Sequence, residues 1–230
     1  MSKKHYKIRK DLSIEFEDRT LYRIEALKDL PKHNVKKGDI GGFVESYDNL
    51  ADAAWVGGDA KVYDNAKVTG DAWVYDNARV FDNAEVSWHA LVRGNAKVFG
   101  NAQVCDYAQV FGNAQVCGHS WVYEDATVCD NARVFDNAAV CGTARVFGNA
   151  RVFGYARVAC GDIKKLGDVR NITGERYNIT ILPNHIKIGC QLYTKEEWFN
   201  FEDHEILEMD GKEGLKWWKK WKPLLQGMSE

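Results

Sequence analysis

Between Trp55 and Val158 the chain returns to the same hydrophobic residue every six positions. Steps of six from Val56 meet valine each time, through Val158, without exception. Two positions before each valine stands alanine, from Ala54 to Ala156, in 17 of 18 repeats, with Ser120 the one replacement. Backward steps reach Leu50 and Val44, so the register begins there. A period of six with one aliphatic and one small residue per unit predicts an all-β solenoid. Each hexad gives a short strand whose residues alternate out, in, out about the valine, followed by a corner. Three strands close one triangular coil of 18 residues, with valine filling the interior and alanine at a corner too tight for a larger side chain. The intervening pairs "DN", "GN" and "GD" supply the Gly, Asn and Asp that tolerate turns and left-handed backbone. The predicted domains are an N-terminal cap at 1–43, the solenoid at 44–162 and a C-terminal cap at 163–230.

A solenoid leaves strand edges and an open core at both ends, which need covering. "SIEFEDRTLYRIEAL" alternates apolar and polar residues around a charged "EDR" turn and predicts a hairpin feeding the first coil. After Val158 the six-step lands on Lys164, so the pattern is expected to stop there. "YNITILPNHIKIG" predicts a second hairpin turning at Pro183 and Asn184, and "TKEEWF" offers Thr194 and Glu197 as a capping box ahead of Trp198. In "GLKWWKKWKPLL", Leu215, Trp218, Trp221 and Leu225 share one helical stripe. That stripe suits either a membrane-surface helix or a lid on the open end of the prism. Pro223 and the need for a cap favour the lid.

The strict hexads resemble the left-handed parallel β-helix of the hexapeptide-repeat superfamily over about half of the chain, and the left-handed winding is an implication of that resemblance. Two flanking segments, "LYRIEALKDL…VKKGDIGGFVESYDNLADAAWV" and "NHIKIGCQLYTKEEW", look like parts of uncharacterised bacterial and phage proteins of hexapeptide-repeat or polymer-forming type. The resemblance implies about six to seven coils and assembly into a homotrimer of parallel prisms.

Residues 18 apart stack about 4.8 Å from coil to coil, so the sequence can be read as three walls. The first presents Lys61, Arg79, Lys97, Gln115, Arg133 and Arg151 before its valines, and Tyr63, Phe81, Phe99, Cys117, Phe135 and Phe153 after them. A basic ladder thus runs beside an aromatic one. Like charges at that spacing repel by roughly 1 kcal/mol per pair even in water, so the column calls for a counter-charge. Either Asp64, Asp82 and Asp136 at the adjoining corner supply it and the rings are covered by another copy, or a nucleotide, nucleic acid or host protein does. The second wall begins apolar with Trp55 and Trp73 and is expected to meet a neighbouring copy, while the third looks the most solvated.

Charge and composition narrow this further. The 31 Lys plus Arg nearly balance 33 Asp plus Glu, so there is no global attraction to nucleic acid or anionic membrane. The start lacks an apolar leader and no long apolar run follows, which predicts a cytoplasmic protein without a membrane partner. Cys105 and Cys141 share a column yet lie two coils apart, too far for a disulfide. Many hexapeptide-repeat proteins are acyltransferases that use acetyl-CoA and a histidine base, for which His89 or His119 would serve here. Both occupy corner slots usually held by Asn, and no insertion supplies a loop over a thioester, so corner structure is the preferred reading. No histidine trio suggests a metal site. The expected function is non-enzymatic binding or scaffolding by a trimer without a cofactor, and the phage-like flanks sharpen it to a phage-encoded protein that blocks or sequesters a host defence protein or nucleotide signal. The rivals are an acyltransferase and an end-to-end polymer, the latter opposed by the caps.

Overall fold

A computed structural model describes residues 4–173 and 175–229. The first three residues of the expected N-terminal cap, Gly174 and Glu230 lie outside the described residues. The hexads form a parallel β-solenoid of about seven coils. Each repeat contributes a two-residue rung, such as Arg79–Val80, and three stacks of rungs make the walls. The first wall pairs Lys61 with Arg79, then Lys97, Gln115, Arg133 and Arg151. The second begins Trp55, Trp73, Leu91 and Gln109, and the third Lys67, Glu85, Gln103 and Trp121. Val44 pairs with Val62 and Leu50 bridges to Val68, so the register does begin before Val56. The repeat valines have no exposed surface, and the alanines pack beside them. Burying each valine stabilises the coil by about 1.5–3 kcal/mol, which makes the stack one continuous core.

From Val56 to Val152, corners turn through a left-handed residue two positions after each repeat valine, for example Asp82 (φ 59°) and Gly100 (φ 73°). Trp88 (φ 61°) and Glu124 (φ 57°) hold the same conformation without the tolerance of Gly, Asn or Asp. The Glu124 carboxylate binds the amide of Gly142 one coil on, which offsets the strain there. Ser120 sits in the alanine slot fully buried, its hydroxyl donating to Cys117 O at 2.7 Å.

The solenoid runs one rung beyond the sequence expectation. Ile163 pairs with Val146 and is fully buried, reached from Val158 by a five-residue step rather than six. A gap after Ala159 is enough to hide it from the period.

The N-terminal hairpin is built from β1 (Tyr6–Phe16) and β2 (Arg19–Ala26), joined through Glu17 and Asp18 at φ 48° and 60°. β3 (Ile40–Val44) pairs antiparallel with β2 and parallel with the Lys61–Val62 rung, so the hairpin extends the first wall as a nine-stranded sheet. The C-terminal unit is a four-stranded antiparallel sheet, β4 (Arg170–Ile172), β5 (Ile179–Ile181), β6 (His185–Ile188) and β7 (Gln191–Thr194), followed by α1 (Lys195–Asn200) and α2 (Asp203–Ser229). Thr194 and Glu197 form the expected capping box, and α2 breaks at Asp210–Gly211.

Trp198, Trp218 and Trp221 are buried, but not on the open end of the prism as the stripe suggested. They pack against Ile179, Ile181, Ile186 and Ile188 in a second core of their own. Val169 and Leu182 join the prism core instead. An amphipathic helix is indifferent to which apolar surface covers it, and the sheet beside it is nearer in sequence. No helix among the described residues is long and apolar enough to cross a membrane.

Candidate binding face on the first wall

The first wall divides into a covered and an open half. The hairpin tip lies over the early coils: Leu21, Phe43 and Tyr63 form a small core with Ile14, Phe16 and Phe81 against it. Tyr63 is only 1% exposed, and Phe16 meets its ring edge-on at 5.6 Å. Arg79 pairs with Glu17 at 3.3 Å and stands 4.9 Å from the Phe16 ring. Lys61 donates to Asp59 O at 2.9 Å and lies 5.3 and 5.4 Å from the Phe16 and Phe43 rings. Burial, with help from Arg79, pulls the Lys61 ammonium below its ordinary range. Four residues expected to face a ligand or a second copy therefore face the chain's own hairpin.

Below this cover the ladder opens. Phe99 stacks on Phe81 at 5.0 Å with parallel rings, and Phe135 stacks on Phe153 at 5.4 Å. Cys117 interrupts the run between them. Phe153 is 40% exposed. Lys97, Arg133 and Arg151 have no carboxylate within ion-pairing distance among the described residues. The Arg133 guanidinium lies 5.6 Å from the Phe135 ring, and its buried Nε has no hydrogen-bond partner.

The corner aspartates do not neutralise this column. Asp82 accepts from the Gly100 amide at 3.0 Å and Asp136 from the Gly154 amide at 3.1 Å, each reaching one coil along the axis. Asp64 accepts from the Asp82 amide and pairs with Arg19 of the hairpin. A left-handed Asp places its carboxylate next to the following coil's free N–H, and that bond wins over a flexible cation on the wall.

On the second wall the chain itself covers the first of the early tryptophans. Trp55 is 3% exposed, and His33 packs edge-on against the half-buried Trp73 at 5.6 Å. The buried His33 and His5 bond Ala53 O at 2.9 Å and Ala54 O at 2.8 Å through Nε2. Burial pushes both imidazoles below 6.5. Their neutral forms contribute stability that is fully present above 6.5 and is lost as pH falls through the depressed folded-state values. The unfolding midpoint is expected to drop as pH is lowered below 6.5, and less steeply in a His5→Gln/His33→Gln variant. Identical pH slopes by denaturant titration would refute the assignment.

The two candidate bases stand on different corners. His89 stacks on Tyr107 at 4.9 Å with Nδ1 3.6 Å from Asp71, and Asp71 also pairs with Lys32. His119 is exposed, its backbone amide bonded to Asp136 O. The coils between Trp55 and Val158 carry no projecting loop beside either one. Trp88, 65% exposed at its left-handed corner, and Tyr107, 60% exposed, extend the patch around His89, and no period in the sequence marks it.

These features define the class: a capped parallel β-solenoid with one wall half-covered by its own N-terminal hairpin. Residues 144–159, a stretch near the end of the solenoid, match the family described as YdcK Beta solenoid repeat. No curated protein matches the chain.

Proposed function

We propose that this chain is a non-enzymatic binding and scaffolding protein that takes an anionic partner on the open half of its first wall. The observation that carries the reading is the set of three cations, Lys97, Arg133 and Arg151, left without carboxylate partners among the described residues beside stacked phenylalanines. A strip of cations with ring faces suits phosphates and bases of a nucleotide or single strand, or an acidic protein segment bearing aromatic residues. The hexapeptide-repeat likeness and the phage-like flanks support a cytoplasmic protein that occupies a host defence component or nucleotide signal. The exposed edge of Phe153 favours a second use of the face, contact between copies in a homotrimer.

A Lys97→Glu/Arg133→Glu/Arg151→Glu variant separates the two. Arg79 is left intact because Glu17 already occupies it. Fluorescence anisotropy with a labelled single-stranded oligonucleotide is expected to lose about 100-fold or more in affinity, and the salt slope is expected to fall by about 2, since each phosphate contact contributes roughly 0.7. Light scattering on the same samples reads the mass. A trimer that dissociates in the variant, with no oligonucleotide binding by either protein, assigns the face to self-contact and rejects the anionic ligand. Unchanged affinity and unchanged mass reject both.

A further inference from the structure

We propose that the C-terminal unit contains a binding cavity for a single aromatic ring bearing a protonated amino group. Between the sheet and the helices lies a cavity of about 150 Å³, walled by Trp198, Trp217, Trp218, Ile188, Ile206 and Met209. A largely apolar space of that size is enough to hold one benzene-sized ring. It belongs to the second core, away from the first wall, and stands or falls independently of the function proposed above.

One edge of this cavity is charged. α2 breaks at Asp210–Gly211, with Gly211 at φ 67°, and the break brings the Asp210 carboxylate to the cavity lining. Gly214 makes room for it: a Cβ there would sit 2.8 Å from the Asp210 Cβ. The Tyr177 hydroxyl donates to Asp210 Oδ2, and Arg176 reaches the same oxygen at 3.2 Å without lining the cavity. Oδ1 has no hydrogen-bond partner among the described residues. The Tyr177 bond holds the Asp210 carboxyl below the usual carboxylate range, so the charge persists at neutral pH.

These parts select a ligand. Indole faces attract a cation, and a free carboxylate oxygen accepts from an ammonium. A plain hydrocarbon gains only the apolar wall, and a ring with a carboxylate arm has no proton to donate to Oδ1 of Asp210, whose charge Arg176 partly offsets. An apolar pocket with a few convergent polar groups, here Asp210, Tyr177 and Gln191, is the usual form of a small-molecule site. Cys190 lines the same cavity and is exposed, which places an accessible thiol there as a reporter.

The test uses the full chain and three probes of one ring each: benzylamine, toluene and phenylacetate. Tryptophan emission is followed during titration. Benzylamine is expected to give a saturable change at a concentration about tenfold below that of toluene, the ratio a charge-assisted hydrogen bond supplies, with phenylacetate weakest. Asp210→Asn is expected to bring benzylamine to the toluene level. Cys190→Trp, at an exposed position, is expected to abolish all three, and benzylamine is expected to slow alkylation of Cys190 in the unmodified protein. Far-UV circular dichroism confirms that each variant is folded. Absence of a saturable change with any probe overturns the cavity as a site. An unchanged benzylamine preference in Asp210→Asn overturns the role of the carboxylate and with it the proposed ligand class.

Discussion

Alanine at Gly41 or Gly42 is expected to destabilise the protein by about 3 kcal/mol or more, in the range of severe core defects. Neither glycine needs a left-handed backbone; what each needs is the absence of a Cβ. At Gly41 an added Cβ would lie 2.5 Å from Val56 O, 2.6 Å from Trp55 Cζ2 and 2.7 Å from Ile24 Cγ1. At Gly42 it would lie 2.7 Å from both Ala60 O and Val56 Cγ1. Two of these neighbours are backbone carbonyls inside the first coil, which cannot rotate aside. β3 would have to lift off the solenoid, breaking the bond from Phe43 N to Ala60 O at 2.8 Å and uncovering Val44 and Val62. The hairpin would lose its anchor and with it the cover over Tyr63 and Phe81. Gly227→Ala serves as the comparison, since nothing lies within 4 Å of its added Cβ. Denaturant unfolding and limited proteolysis of the first 43 residues measure the effect. A Gly42→Ala protein as stable as Gly227→Ala would show that β3 is not seated on the coil.

The solenoid could be read from the sequence because its geometry is periodic. A six-residue step fixes inside and outside, and an 18-residue step fixes which side chains touch, so the pairing of Lys97 with Arg79 and Gln115 follows from counting. Contacts without a period were invisible. Glu17 and Arg79 are 62 residues apart and meet because the hairpin happens to fold over that wall. The corner aspartates looked like counter-charges since they adjoin the basic column, yet a sequence does not say whether a carboxylate turns toward a cation or toward an amide one coil away. Ile163 was hidden by one missing residue, and the destination of the tryptophan stripe was hidden because two apolar surfaces competed for it. The open half of the first wall is therefore the part of the candidate site that counting identified and that folding left uncovered. The covered half shows that a column of suggestive residues becomes a surface only where no other segment of the chain lies on it.

Separate cores imply separate unfolding, and Trp218→Ala is expected to reveal it. Trp218 is 3% exposed, its ring 5.3 Å from Trp198, and the helix it sits on covers the Ile179–Ile188 sheet. Removing a buried indole costs about 3–5 kcal/mol through lost burial and the cavity left behind. That is a large share of the stability available to a unit of this size, but the prism core contains none of these tryptophans. The C-terminal unit is expected to melt first, with tryptophan emission shifting red at low denaturant while most far-UV strand signal persists to a second, unchanged transition. Val169 and Leu182, which flank strands of the C-terminal sheet, cover the end of the prism core, so their departure with the C-terminal unit is expected to expose the last coil near Ile163, whose amides should then exchange faster than those of Val98 or Val116. Val110→Ala, which thins the prism core alone, should move only the second transition. A single coincident transition in Trp218→Ala, by emission and by circular dichroism, would mean that the C-terminal unit and the solenoid fold as one cooperative body despite their divided cores.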